Sequence, residues 1–224
     1  MAVSGAIDWF FEDEEMGIIL EDDCLPSQSF FWFCEELLER YKDDMRVGII
    51  SGSYYFFDYK DRIEHYYFSV LPFIWGWASW KRVWNDYNID MIDYKNFEQN
   101  KIIEQTFYTK NSIKYWKNSL KKAYAGQIDT WDYQLTFLIL KKRLINIVPA
   151  QNFISNIGFG ADATHTSITE DRHSNMARYE IVFPLIHPAE VIRSTTLDLK
   201  FEKQAFENLN IIKRITNKIR RILQ

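Results

Sequence analysis

Cysteine is scarce in this chain. Two residues, Cys24 and Cys34, cannot build a disulfide framework, and they lack the Cys-X-X-Cys spacing of redox catalysis. Long apolar runs are missing too: no stretch reaches the ~18 residues of a membrane span. The N-terminus has neither the basic nor the apolar region of a secretory signal. The four histidines show no metal spacing, which excludes zinc sites of the usual Cys/His kind. Basic residues form no stripe outside the C-terminal tail, and the net charge is −4, so nucleic acid is excluded as a partner. Low-complexity segments and internal repeats are absent. A cytoplasmic protein is the simplest expectation.

What is present is an ordinary globular composition with two biases. Hydrophobic residues make up 47% and charged residues 26% of 224, enough for a sizeable core in one large domain or two small ones. The aromatic content is high, with 8 Trp, 13 Tyr and 17 Phe, which provides for a stacking surface besides the core. Charge is also unevenly spread. Residues 1–45 carry 13 acidic and 2 basic side chains, whereas residues 200–224 carry 7 basic and 2 acidic ones. The first bias suits a divalent cation, the second an anionic surface.

Apolar periodicity predicts a helix over 1–16, with Val3, Ile7, Phe10 and Phe11 on one face and Gly17 as its breaker. Ile18-Ile19-Leu20 reads as a short buried strand, and 46–51 as another, ended by Gly52. Between them, 29–41 has a strong helix pattern. Residues 54–68 read as partly extended, 75–77 as a turn, and a helix is expected from about Ser79. One or two helices follow over 98–123, a helix over 130–143, and a strand over 144–148 closed by Pro149. A loop rich in Gly, Ser, Thr, Asn and Asp spans 155–175, and helix 198–224 is interrupted near Leu209. Helices alternating with short apolar strands argue an α/β fold.

Glu21-Asp22-Asp23 directly follows the first apolar run. Ligands in open α/β sheets bind beyond the carboxyl ends of strands. Magnesium and manganese take one or two protein carboxylates plus phosphate oxygens, so the triplet fits a metal–diphosphate site. A solvated acidic turn accounts for it equally well on chemistry alone.

The segment Gly17-Ile-Ile-Leu-Glu-Asp-Asp-Cys-Leu-Pro26 resembles the strand and DxD-type motif of GT-A-fold glycosyltransferases. It is most similar to bacterial nucleotide-diphospho-sugar transferases related to the N-acetylglucosaminyltransferase that initiates complex N-glycans. Further blocks agree in order: Ala2-Val3-Ser4 with Ala6 to Phe11, Ile50-Ser51-Gly52, Trp75 to Trp80, Trp131-Asp132-Tyr133-Gln134, and Asn156 to Gly160 running to Thr164-His165-Thr166. The resemblance covers roughly residues 2–170. Enzymes of this kind place a nucleotide-binding α/β half before the acidic motif. Here twenty residues precede Glu21, so the expected fold is a GT-A-like, Rossmann-like mixed sheet flanked by helices and truncated at its N-terminus. The expected division is a catalytic part over 1–175 and a C-terminal helical extension over 176–224.

The resemblance implies a metal-dependent, inverting transfer of sugar from a nucleotide-diphosphate donor, a UDP-sugar, to a hydroxyl of a glycan or glycolipid, with Mn2+ or Mg2+ as cofactor. Asp23 would be the metal ligand. Glu21 and Asp22 would contact the donor or hold metal-bound waters. Asp132 is the first candidate for the base and Asp129 the second; alternatively, Asp129 is an N-cap with Asp132 as its third-position partner. Trp75, Gly76 and Trp77 would form a sugar platform, with one indole in the site and at least one of Trp75, Trp77 and Trp80 in the core. His165, in a loop that would close over the diphosphate, is a candidate for binding phosphate or metal. The basic amphipathic tail over 205–224 would contact the inner membrane face or pack on the core.

Two other classes compete. One is a noncatalytic fragment or carbohydrate-binding remnant of such an enzyme. The other is a magnesium phosphohydrolase, which would need further carboxylates at other strand ends.

Overall fold

A computed structural model describes residues 2–55, 63–158 and 175–207. In chain order the elements are α1 (Ala2–Asp13), β1 (Met16–Ile19), β2 (Cys24–Pro26), α2 (Ser29–Tyr41), β3 (Val47–Ser51), β4 (Tyr66–Ser69), β5 (Trp77–Trp80) and α3 (Lys81–Trp84). There follow α4 (Tyr94–Gln99), α5 (Ile102–Thr106), α6 (Lys110–Tyr124), α7 (Asp132–Lys142), β6 (Ile145–Pro149), β7 (Ile154–Asn156), α8 (Thr195–Glu202) and a π-helical turn, Lys203–Glu207. The fold is mixed α/β.

The main sheet has the order β1-β5-β3-β6-β4. β3 and β6 are parallel, and β5 is antiparallel to both β1 and β3. β1, β3 and β6 therefore point the same way, and their carboxyl ends share one edge of the sheet. β3 lies in the middle with every residue buried, so Val-Gly-Ile-Ile-Ser shows no alternation.

Helices cover both faces. On one face, α2 buries Phe30, Phe33, Cys34, Leu37, Leu38 and Tyr41, a stripe at three- and four-residue spacing, and its Leu38 carbonyl accepts the Trp80 indole N–H at 3.0 Å. The other face carries α1 and α7. Phe10 of α1 fills the space that a Cβ on Gly17 would occupy, and Ile139 of α7 does the same at Gly48. α7 divides its apolar residues between two clusters: Leu135, Leu138 and Ile139 face the sheet, while Phe137 and Leu140 face α4–α6. Buried on both sides, it has almost no polar face from Gln134 to Leu140.

The segment after 175 is tied to the same core. Glu180 accepts the Gln28 and Ser29 amides at 3.1 and 2.8 Å and so caps α2 from a distance. Asp198, 1% exposed, pairs with Arg193 at 2.5 Å and accepts the Ser69 hydroxyl. Glu202, fully buried, accepts the Tyr108 and Thr109 amides at the start of α6.

The structure corrects several local expectations. α1 ends at Asp13, and Gly17 lies within β1 rather than breaking a helix. β1 is an edge strand and only half-buried. Ser79 belongs to β5, where its hydroxyl bonds to the Gly48 carbonyl at 2.8 Å, and the helix starts at Lys81. The expected helix over 130–143 narrows to Asp132–Lys142, ended by Arg143 at φ 56°. β2 and β7 were not expected; they form a separate two-stranded ribbon that neither segment could make alone. Of the C-terminal helix, α8 and the π-helical turn are seen, and residues 208–224 lie outside the described residues.

Candidate functional site

The acidic triplet lies at the carboxyl edge of the sheet. β1 ends at Ile19 opposite Trp77, and the turn over 21–23 is closed by the Cys24 amide bonding to the Glu21 carbonyl at 3.0 Å. The turn is held from both ends, by β1 in the main sheet and by β2 in the ribbon. The Ile157 amide adds a bond to the Asp23 carbonyl at 2.9 Å. Asp22 is exposed, and Glu21 and Asp23 are half-buried.

Asp23 has a shaped surrounding. A Cβ on Gly158 would stand 2.4 Å from its Oδ2, so glycine is what allows the carboxylate to lie there. The Cys24 thiol donates to Oδ1 at 3.5 Å. Burial and then the Asp23 charge push that thiol up to about 12, so it stays protonated and unreactive. Cys34 is buried in α2 and shifted upward by burial alone. Among the described residues Asp23 makes no ion pair.

Three backbone segments converge beside the triplet. The Gly52 amide bonds to the Gly76 carbonyl at 2.7 Å, the Phe153 amide bonds to the Gly52 carbonyl at 3.0 Å, and the Ser53 hydroxyl bonds to the Trp75 carbonyl at 2.8 Å. A Cβ on Gly52 would meet Phe30, Ile154 and the Gly76 carbonyl within 2.9 Å. Gly76 has φ +63°, and a Cβ there would meet Ile154 at 2.5 Å. These contacts give Ile50-Ser51-Gly52 and Trp75-Gly76-Trp77 a common purpose: they let backbones pack closely at the edge.

The two indoles of the second block separate. Trp75 is half-buried at the edge, edge-on to Tyr55 with centroids 5.6 Å apart. Trp77 is 1% exposed and stacks on Trp131 at 5.8 Å. Trp77 and Trp80 are therefore core residues, and Trp77 has no free face for a sugar. β5 alternation explains this, since 77 and 80 point to opposite, equally covered faces.

Asp132 is the first residue of α7, half-buried, and Asp129 is exposed in the preceding loop. The capping alternative is corrected. The N-cap is Trp131, without a side-chain cap, and the Thr130 hydroxyl bonds to the Asp132 carboxylate instead. The stack of Trp131 on Trp77, the start of β5, brings this end of α7 to the same edge as the triplet. The Tyr87 hydroxyl donates to the Trp131 carbonyl at 3.1 Å, and its ring lies flat on Trp84 at 4.2 Å. Burial, helped by the charges of Asp8 and Asp132, raises the Tyr87 phenol. On the α6 side, Tyr115 and Tyr133 share a hydroxyl bond of 2.8 Å.

Asp8, Tyr87 and Tyr115 were not expected near Asp132. Nothing local announces them, because they come from α1, the turn after α3, and α6. His165, Thr164 and the rest of the loop over 159–174 lie outside the described residues, as does most of the basic tail. His65 and His187 lie at the far side of the sheet, where His187 bonds to the Tyr66 hydroxyl at 2.9 Å and faces Glu36 at 3.2 Å.

Mn2+ or Mg2+ can be tested against this geometry. Among the described residues, no three His, Cys, Asp or Glu side chains gather into a metal-holding group. The donors at the turn are hard carboxylate oxygens, and Asp23 is free of ion pairs among the described residues. That chemistry fits an Mg2+-type ion held by one carboxylate, with water and diphosphate completing its shell. It does not fit an all-protein cage.

Compared with family models, with curated proteins and with solved structures, the chain has no match. Among the described residues no helix is long and apolar enough to cross a membrane.

Proposed function

We propose that the chain is a metal-dependent glycosyltransferase of GT-A type, moving a sugar from a UDP-sugar to a hydroxyl of a glycan or glycolipid acceptor with inversion. One observation carries the reading. The acidic turn stands at the carboxyl edge of a mixed sheet, where Gly158 makes room for the Asp23 carboxylate.

A bound Mn2+ or Mg2+ would supply Lewis-acid stabilisation of the leaving diphosphate. Asp23 would hold the ion, and Glu21 and Asp22 would flank the donor. Trp75 offers the half-buried indole at that edge. Asp132, at the N-terminal end of α7, would accept the proton of the attacking hydroxyl. The Thr130 hydroxyl fixes its carboxylate in orientation.

Calorimetric titration with UDP and UDP-sugars, with and without Mn2+, tests the reading. Metal-dependent binding is expected, and Asp23→Ala should abolish it without lowering the melting temperature, because the contacts of that carboxylate are peripheral. A folded chain that binds neither UDP nor UDP-sugar would overturn it and leave a noncatalytic carbohydrate-binding protein as the alternative.

A further inference from the structure

From Asn175 to Ser194 the chain forms neither helix nor strand; it is a strap laid across α2 and β4. Two anchors hold it. Near its start, Glu180 accepts the Gln28 and Ser29 amides, and the Ile181 amide donates to the Ser29 hydroxyl at 3.0 Å. At its end, the Ser194 amide donates to the Phe68 carbonyl at 2.7 Å, and Arg193 pairs with Asp198. Between the anchors the strap meets His65, the residue just before β4, and this contact is of another kind. The His65 amide donates to the Ile186 carbonyl at 2.9 Å, and the Ile186 amide donates back to His65 Nδ1 at 3.2 Å. A ring nitrogen thus stands where a strand partner would offer a carbonyl.

Nδ1 accepts that bond only as the lone-pair nitrogen of a neutral imidazole. A proton on it sets two donors face to face, and the Ile186 bond is lost. The charged groups around the ring come from α2 and from the strap. Burial disfavours the imidazolium and outweighs Glu36 of α2, which favours it. His187 of the strap is near enough to feel the charge of His65, and Arg40 of α2 adds positive charge at His187. Glu64 precedes His65 in the chain; Asp61 and Arg62 lie outside the described residues. His187 itself is built differently. Its Nε2 faces Glu36 at 3.2 Å, and its Nδ1 meets the Tyr66 hydroxyl at 2.9 Å, which in turn meets the Tyr41 hydroxyl at 2.6 Å. A hydroxyl can donate or accept, so this ring can take a proton and keep both bonds. His65 is bonded to an amide that only donates, and cannot.

We propose that His65 is a proton-operated latch: its neutral imidazole fastens the strap at Ile186, and its protonation frees residues 182–187 between the Glu180 and Arg193 anchors. The Ser29 hydroxyl and amide hold the Glu180 carboxyl below its ordinary value, so the first anchor stays ionised while the latch opens. Opening lifts Leu185, 5% exposed, off the core it packs against. It also parts Phe183 from Trp32, whose rings meet edge-on at 6.3 Å. Acid therefore uncovers apolar surface on α2, whether or not the chain transfers sugar.

Site-resolved hydrogen exchange of the full chain, corrected for the intrinsic pH dependence of exchange, tests the latch between about pH 7.5 and about pH 5. At the acid end the Ile186 amide should exchange about tenfold faster, the worth of one hydrogen bond, and should outrun Ile49 in β3. His65→Asn supplies an oxygen near the place of Nδ1 that accepts and does not titrate, so it should abolish the acceleration. His187→Gln should retain it. Nitrogen-15 spectra of the wild-type histidines give a check that needs no variant. At neutral pH His65 should carry its proton on Nε2, and the Ile186 amide shift should titrate with the same midpoint as the His65 ring. Four results would overturn the latch: a proton on His65 Nδ1 at neutral pH, an Ile186 amide indifferent to pH, a His65→Asn variant that keeps the wild-type acceleration, or exchange at Ile186 and Ile49 rising in step, which is global unfolding.

Discussion

Gly76→Ala is the sharpest perturbation of the edge. Gly76 has φ +63°, and a Cβ there would stand 2.5 and 2.8 Å from Ile154 and 3.2 Å from Leu20. Two penalties add. A left-handed backbone disfavours an L-residue by roughly 1–2 kcal/mol. Forcing a methyl into a filled apolar contact costs about 1–3 kcal/mol more. Ile154 is 1% exposed and paired in β7, so it has little room to retreat. The sum is about 3 kcal/mol, or a melting temperature lower by roughly 9 °C for a chain of this size. Gly126 provides the control. Its φ is +65° and nothing lies within 4 Å of its would-be Cβ, so Gly126→Ala carries the backbone penalty alone. Gly5, in α1 with nothing near it, should instead become more stable by about 0.5–1 kcal/mol as alanine. Urea denaturation followed by tryptophan fluorescence measures all three. If Gly76→Ala matched Gly126→Ala within about 0.5 kcal/mol, the convergence of the three backbones at this edge would be refuted.

The remaining predictions concern the base and pH. Asp132→Asn should abolish sugar transfer while UDP-sugar binding, measured by calorimetry, is retained; an active variant eliminates Asp132 as the base. His65 and His187 are held below the ordinary imidazole value by burial, with the Arg40 charge adding to the effect at His187 and Glu36 opposing it at both. The unfolded chain therefore takes up protons first, so this stability is complete above about pH 6.5 and falls as pH drops through the folded-state values. Melting temperatures between about pH 5 and pH 7 should show that slope, and His187→Gln should flatten it.

Much of the fold was legible in the residues. α2 follows its apolar spacing from Ser29 to Tyr41, and β3 follows its uninterrupted apolar run. Both signals are local, because burial on one stripe or on both faces leaves a direct imprint on composition. Trp77-Ala-Ser-Trp80 was not legible as a strand. Its residues show no alternation because α2 covers one face and Trp131 the other. β2 and β7 are three residues each and exist only as a pair brought together across the chain.

The candidate site divides in the same way. The sequence alone determined which atoms are available: three adjacent carboxylates after an apolar strand, glycines at 52, 76 and 158, and Asp132 in the first turn of a strong helix. Each is a local choice of side chain, or of its absence. Only the tertiary structure decided which of them meet. It sent Trp77 into the core, left Trp75 at the edge and set Gly158 against Asp23. Those outcomes depend on strand order and helix packing, which bring together residues far apart in the chain and so leave no pattern in any short stretch of it.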